Sequence, residues 1–119
     1  MALTVKNLNL GQVKASDYSS ASANEIYLVA SGKSAVITSL AFVNNGAANE
    51  ILTVSVLLSG VAVGSRVRLG YAYQLAASGE TGRYVIKDQI TLGAGDRILA
   101  DTTTNLAVEF VLSGVERDI

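Results

Sequence analysis

A chain of 119 residues, 50% hydrophobic and only 16% charged, has the size of one domain and is too apolar for a disordered or solvating tail. Nine Lys and Arg against ten Asp and Glu leave a net charge of -1, a field too weak to favour the repeated phosphates of nucleic acid, so direct DNA binding is not expected. Cys and His are absent, which removes disulfides, thiolates, Ser-His and Cys-His dyads and the commonest general base from the chemistry this chain can perform alone.

The N-terminal stretch MALTVKNLNLGQ has neither the basic start nor the apolar run of a signal peptide, and nothing approaches the roughly 20 apolar residues of a membrane span. The expectation is a chain made in soluble form in the cytoplasm. Residues 3–10 can form a first strand. Residues 11–24, GQVKASDYSSASAN, are small and polar with little to bury, which suits either a mobile loop or an arm that orders on a neighbouring subunit. On both readings residues 1–24 are an arm with a first strand, and the domain core begins near Glu25, within residues 25–119.

From there period two recurs and period 3.6 does not. Residues 25–30 and 34–44 are weaker strand candidates. In the second, Ile37 and Val43 lie on the opposite parity from Val36, Leu40 and Phe42, which calls for a bulge or for burial on both faces. ILTVSVLL, residues 51–58, alternates cleanly, with Leu52, Val54, Val56 and Leu58 on one side. RVRLGYAY, residues 66–73, puts Val67, Leu69, Tyr71 and Tyr73 opposite Arg66, Arg68, Gly70 and Ala72. Residues 83–92 and 96–101 follow, bounded by turn residues. LAVEFVLSG, residues 106–114, aims Leu106, Val108, Phe110 and Leu112 one way and Ala107, Glu109, Val111 and Ser113 the other. Seven or eight short strands at this spacing predict an all-β fold: an antiparallel β-sandwich, jelly-roll or immunoglobulin-like. The expected core is Leu52, Val54, Val56, Leu58, Val67, Leu69, Leu106, Val108, Phe110 and Leu112.

Chemistry finds little purchase. SGKS at residues 31–34 ends like a phosphate-binding loop, but the required first glycine falls on Tyr27 and a strand follows where a helix should. Asp96, Asp101 and Glu109 could be imagined around a cation, yet GAGD reads more simply as a β-turn in which Asp96 caps backbone amides. No catalytic, cofactor or metal residue is assigned. Arg66 and Arg68 share a face that Arg83 and Lys87 would join if their strands paired. Such a row is either the solvated side of a sheet or a contact patch for an acidic neighbour. Tyr71 and Tyr73 suit a core or an interface better than base stacking, since no basic groove is interleaved with them. These six residues are the candidate partner contacts.

LNLGQ at 8–12, IYLVASGKSAVITSLAFVNNG at 26–46, ITLGAGDRILA at 90–100 and VEFVLSGVE at 108–116, taken in that order, resemble a group of small tailed-bacteriophage virion proteins. In those proteins a Leu-Gly-Gln and a spacer precede a strand entering Gly-Lys, a strand closing at Asn-x-Gly, a Gly-Asp turn, and a last strand ending in Gly-x-Glu. The resemblance covers most of the chain and its specificity lies in the order of otherwise generic turns. It implies a non-enzymatic β-sandwich accessory of the virion, on the capsid surface, at the neck or along the tail. It also implies a homo-oligomer whose partners are itself and the major capsid, neck or tail proteins, with no nucleic acid, membrane or cofactor. Two departures stand out. Ala30-Ser31 replaces the proline that commonly precedes the Gly-Lys turn, and residues 57–82 match no pattern. The alternative is a carbohydrate-binding module, which wants exposed aromatics on one face, for which only Tyr18, Tyr27, Tyr71, Tyr73 and Tyr84 are available, without any Trp.

Overall fold

Alternating side chains and Gly, Ser and Asn turns produce nine strands: β1 (Val5–Val13), β2 (Glu25–Leu28), β3 (Lys33–Asn44), β4 (Glu50–Leu57), β5 (Val67–Leu75), β6 (Arg83–Ile86), β7 (Ile90–Leu92), β8 (Arg97–Asp101) and β9 (Val108–Asp118). They are seen in a computed structural model that describes residues 5–77, 82–87 and 89–118. Leu3, the expected start of the first strand, lies outside the described residues.

Pairing is antiparallel throughout. The first four strands pair with the later ones in reverse order: β1 with β9, β2 with β8, β3 with β6 and β7, and β4 with β5. That is a long hairpin rolled on itself, the connectivity of a jelly roll. Cross-pairs of β3 with β9 and of β4 with β8 complete two sheets. Sheet I has the order β1-β9-β3-β6, with β7 also on β3, and sheet II the order β2-β8-β4-β5.

The irregular parity of β3 is resolved by a bulge between Ile37 and Ser39. Before it Ala35 and Ile37 point inward, and after it Leu40 and Phe42 do; all four are buried. The bulge also divides the strand expected over residues 83–92. β6 pairs with Leu40 to Val43 on one side of it and β7 with Ala35 to Ile37 on the other, because one straight strand cannot follow a partner that gains a residue midway. Opposite the bulge sits Gly114, where an added Cβ would come within 2.3 Å of the Val36 carbonyl oxygen, a backbone atom that cannot step aside.

Core residues Leu52, Val54, Val56, Val108, Phe110 and Leu112 are buried as expected, together with Val13, Ile26, Val29, Leu75, Leu92 and Ile98. Leu58, Val67, Leu69 and Leu106 are not; each is exposed, and each has a local cause. Leu58 follows the last residue of β4 and enters a turn in which its carbonyl accepts from Val61 N–H. Leu106 precedes β9 at φ 65°, so it belongs to a turn instead of a strand. Val67 and Leu69 lie on β5, an edge strand with no neighbour beyond it among the described residues. Its register shifts against β4 between Leu52 and Val54 and again between Val54 and Ser55.

Residues 14–24 fold back on the outer face of sheet II of the same chain. Asn24, buried, donates through Nδ2 to the carbonyls of Ala15 (3.1 Å) and Ala100 (3.2 Å) and accepts Asp17 N–H at 2.7 Å. Ala15 forms a parallel bridge with Thr102. Thr53, Ser55 and Leu57, on the outward parity of β4, are buried as well, while Ile51 on that parity is 46% exposed, so β4 is enclosed on both faces only from Leu52 onward. The core begins at Val13, 0% exposed, earlier than Glu25, because β1 runs along β9 for its full length. The two open sides of the sandwich are closed differently. Asn9 Nδ2 donates to the Ile26 carbonyl at 2.5 Å on the β1–β2 side, and Tyr73 stacks on Tyr84 on the β5–β6 side.

Candidate protein contact surface

The six residues singled out from the sequence do not converge. β5 pairs with β4 and β6 with β3, so Arg66 and Arg68 belong to one sheet and Arg83 to the other, with Lys87 just past the end of β6. The four cations form no common row. Arg66 lies 3.6 Å over the ring of Tyr18 and donates Nη1–H to the Val63 carbonyl at 3.1 Å, so it holds the arm down. Its Nε and the Ser55 hydroxyl are buried with no hydrogen-bond partner among the described residues. Arg68 lies 4.8 Å over Tyr71, which is 70% exposed. Tyr73 is committed to Tyr84.

Nor do the carboxylates converge. Asp96 accepts Ser59 N–H at 2.9 Å and Gly93 N–H at 2.8 Å, the turn-capping arrangement expected for GAGD. Asp101 accepts the Tyr18 hydroxyl. Burial, reinforced by this carboxylate, pushes the Tyr18 phenol up to about 12. Tyr27 donates to Glu116 at 2.5 Å and is pushed up further still, first by burial and then by that bond. Glu50, which the alternation does not mark, is buried and accepts Thr104 N–H at 2.6 Å. Among the described residues no group of three His, Cys, Asp or Glu is placed to hold a metal ion.

What the fold does assemble is an apolar outer face on sheet I. Cross-strand partners share a face, so register alone defines its rows. Leu10 pairs with Val111, Val111 with Ala41, and Ala41 with Val85, a continuous apolar row over four strands. The row beside it reads Gln12, Glu109, Val43, Arg83. On the far side of the bulge Val36 pairs with Val115 and Ser34 with Arg117. Leu10 is 61% exposed, Val111 46% and Val43 41%. An open groove of about 430 Å³ runs among Leu10, Gln12, Ala41, Val43, Glu109 and Val111.

The solvent face of an antiparallel sheet is ordinarily polar. Sheet II buries Thr53, Ser55, Leu57, Leu99 and Asp101 on its outward side, whereas Leu10, Val43 and Val111 of sheet I stay exposed among the described residues. The signal was available in the outward parity of Val111 and Val43. It reads as a face only after the β3 bulge brings Val36 and Val43 to the same side.

Neither a scan against protein-family models nor a comparison with curated proteins gives a match. The chain's own geometry therefore carries the functional reading.

Proposed function

We propose that this chain is a non-enzymatic structural protein of a tailed-phage virion, which decorates or cements the particle at the capsid surface, the neck or the tail by repeated protein contacts. The observation that carries the contact role is the uncovered apolar face of sheet I, with Leu10, Val43 and Val111 in water. A contiguous exposed apolar face of this kind marks an interaction surface, and the repeated contacts of a particle component would cover it with protein. The virion assignment is supported by the order of segments that resemble small phage virion proteins. Those segments supply β1, β3 and β9, the three contiguous strands of that face. Residues 57–82, which match no pattern, supply the edge strand β5 with Val67, Leu69 and Tyr71 exposed, a second surface on which partner choice can vary.

The partners are further copies of the chain and the major capsid, neck or tail proteins, and no contact with nucleic acid or membrane is invoked. A contact of about 800 Å² per partner, repeated over a symmetric lattice, holds the particle with modest affinity at each site because linked copies rebind before they diffuse away. Mass spectrometry of purified phage particles, followed by immunogold labelling, tests the reading. Stoichiometric presence and a regular label are expected. Absence from washed particles overturns it.

A further inference from the structure

We infer that the outer face of sheet I meets the same face of a second copy, antiparallel, about a two-fold axis passing through the row of Ser39 and Ser113. The inference rests on the contact role proposed above and names the partner of that surface.

The outward residues of β9 are Glu109, Val111, Ser113, Val115 and Arg117, and their partners on β3 are Val43, Ala41, Ser39, Val36 and Ser34. From its centre at Ser113 the β9 column reads alike in both directions, small polar, then valine, then charge, with the sign of the charge reversed at the two ends. A two-fold axis perpendicular to the strands exchanges those ends. Glu109 of one copy then faces Arg117 of the other at both extremities, Val111 faces Val115, Ala41 faces Val36, and the serines meet at the axis. An isologous interface demands this kind of self-complementarity, and the column provides it without moving the backbone.

Charge makes the choice of occupant. Glu109 and Arg117 are exposed at the ends of an apolar strip, and neither has an ion-pair partner among the described residues. A wholly apolar partner would leave both charges covered and unmatched, a basic one would repel Arg117, and an acidic one would repel Glu109. A surface with the reverse order satisfies both, and this chain carries that surface.

Size agrees. Glu109 and Arg117 are eight positions apart, about 27 Å along a strand, and four strands are about 19 Å wide. Side chains raise the accessible area above that rectangle of roughly 500 Å², towards the 600 to 1,000 Å² per partner of a specific interface. Sheets packed face to face lie about 10 Å apart and cross at about 30°, a separation that the long Glu and Arg side chains can bridge.

Sedimentation equilibrium of the purified chain tests this. The wild type is expected to dimerise, with a mass twice the 12.3 kDa of the monomer. Val111→Asp, Glu109→Arg and Arg117→Glu should each raise the dimer dissociation constant by at least about tenfold. The double reversal Glu109→Arg with Arg117→Glu should recover most of the loss, whereas Arg68→Glu, on β5 of sheet II and away from the face, should leave association unchanged. All the altered positions are exposed, so circular dichroism and urea midpoints should match the wild type and exclude misfolding. A chain still monomeric at about 100 μM, a hundredfold above the micromolar range, overturns the inference. So does a dimer indifferent to Val111→Asp, or a double reversal that weakens association further. A monomer that nevertheless copurifies with particles would remove this pairing and leave the virion reading standing. A dimer of the expected sensitivity that is absent from particles would do the reverse.

Discussion

The rings of Tyr73 on β5 and Tyr84 on β6 stack with centroids 4.2 Å apart and planes 25° from parallel, joining edge strands that belong to different sheets. Among the described residues no backbone hydrogen-bond ladder joins β5 to β6, and the stack bridges them. Gly70 is part of the same fitting. A Cβ there would stand 3.0 Å from the Tyr84 hydroxyl oxygen, and its absence lets the ring lie flat against β5. Tyr84→Ala should therefore destabilise by about 2 to 3 kcal/mol, below the 3 to 5 of a fully enclosed aromatic. A double-mutant cycle with Tyr73→Ala should return a coupling of about 1 kcal/mol. Additive urea midpoints would show that the two rings do not support each other.

Tyr18 ties the arm to sheet II, and its titration offers a way to read that tie. Its phenol is held up at about 12, against an ordinary value of 10.0, by burial first and the Asp101 carboxylate second, with Arg66 opposing. The folded chain binds this proton more tightly than the unfolded chain does. The contribution is thus complete below pH 10 and disappears as pH rises from 10 through 12. Thermal melts of the wild type should lose stability over that window, and Tyr18→Phe should lose less over the same window while being weaker at neutral pH, because buried Asp101 is left without its donor. Parallel pH profiles for the two proteins would contradict the contact.

Gly114 faces the one place where β3 gains a residue. An added Cβ meets the Val36 carbonyl oxygen at 2.3 Å and Ile37 Cα at 3.1 Å, both in the backbone of the central strand. Gly114→Ala must therefore shift β3 or β9, at a cost of about 1 to 3 kcal/mol or more. Guanidinium or urea melts measure it. A midpoint equal to the wild type would mean that the bulge can open freely.

Alternation made β4 and β9 legible because both lie in the middle of their sheets, where an inward side chain always finds the opposite layer. The same pattern in β5 misleads. Val67 and Leu69 keep the spacing of a core strand, but burial also depends on what lies beyond the strand, and edge position is decided by the roll of the whole chain. The arm is hidden for the opposite reason. It docks through Asn24, Tyr18 and Arg66, polar groups whose hydrogen bonds and ring contacts leave no period in the sequence. The apolar outer face was half legible. Val111 stands on the outward parity of β9, but Val36 joins Val43 on one side only because of the β3 bulge, which the broken parity of residues 34–44 did not separate from burial on both faces.

The arm also decides what truncation does. A detachable segment could be removed with the sandwich intact. Here residues 2–20 include β1, which pairs along β9 from Val5 to Val13, the core residue Val13, and Tyr18 with its bond to Asp101. Deletion exposes one side of β9, empties the Val13 site and takes the Tyr18 hydroxyl away from buried Asp101. Losses of this kind together approach the roughly 5 to 15 kcal/mol that holds a domain folded, so the truncated chain is expected to lose its cooperative melt. Asn24→Ala probes the same tie more gently. Its Nδ2 serves the carbonyls of Ala15 and Ala100 and its Oδ1 serves Asp17 N–H; the Ala100 bond is buried, where an unpaired group costs about 1 to 3 kcal/mol, and the other two are half-buried. That variant should melt cooperatively at a lower temperature, with backbone amides of residues 15–17 exchanging faster than those of β4. A truncated chain with a wild-type melt would show instead that β1 and the arm are dispensable to the sandwich.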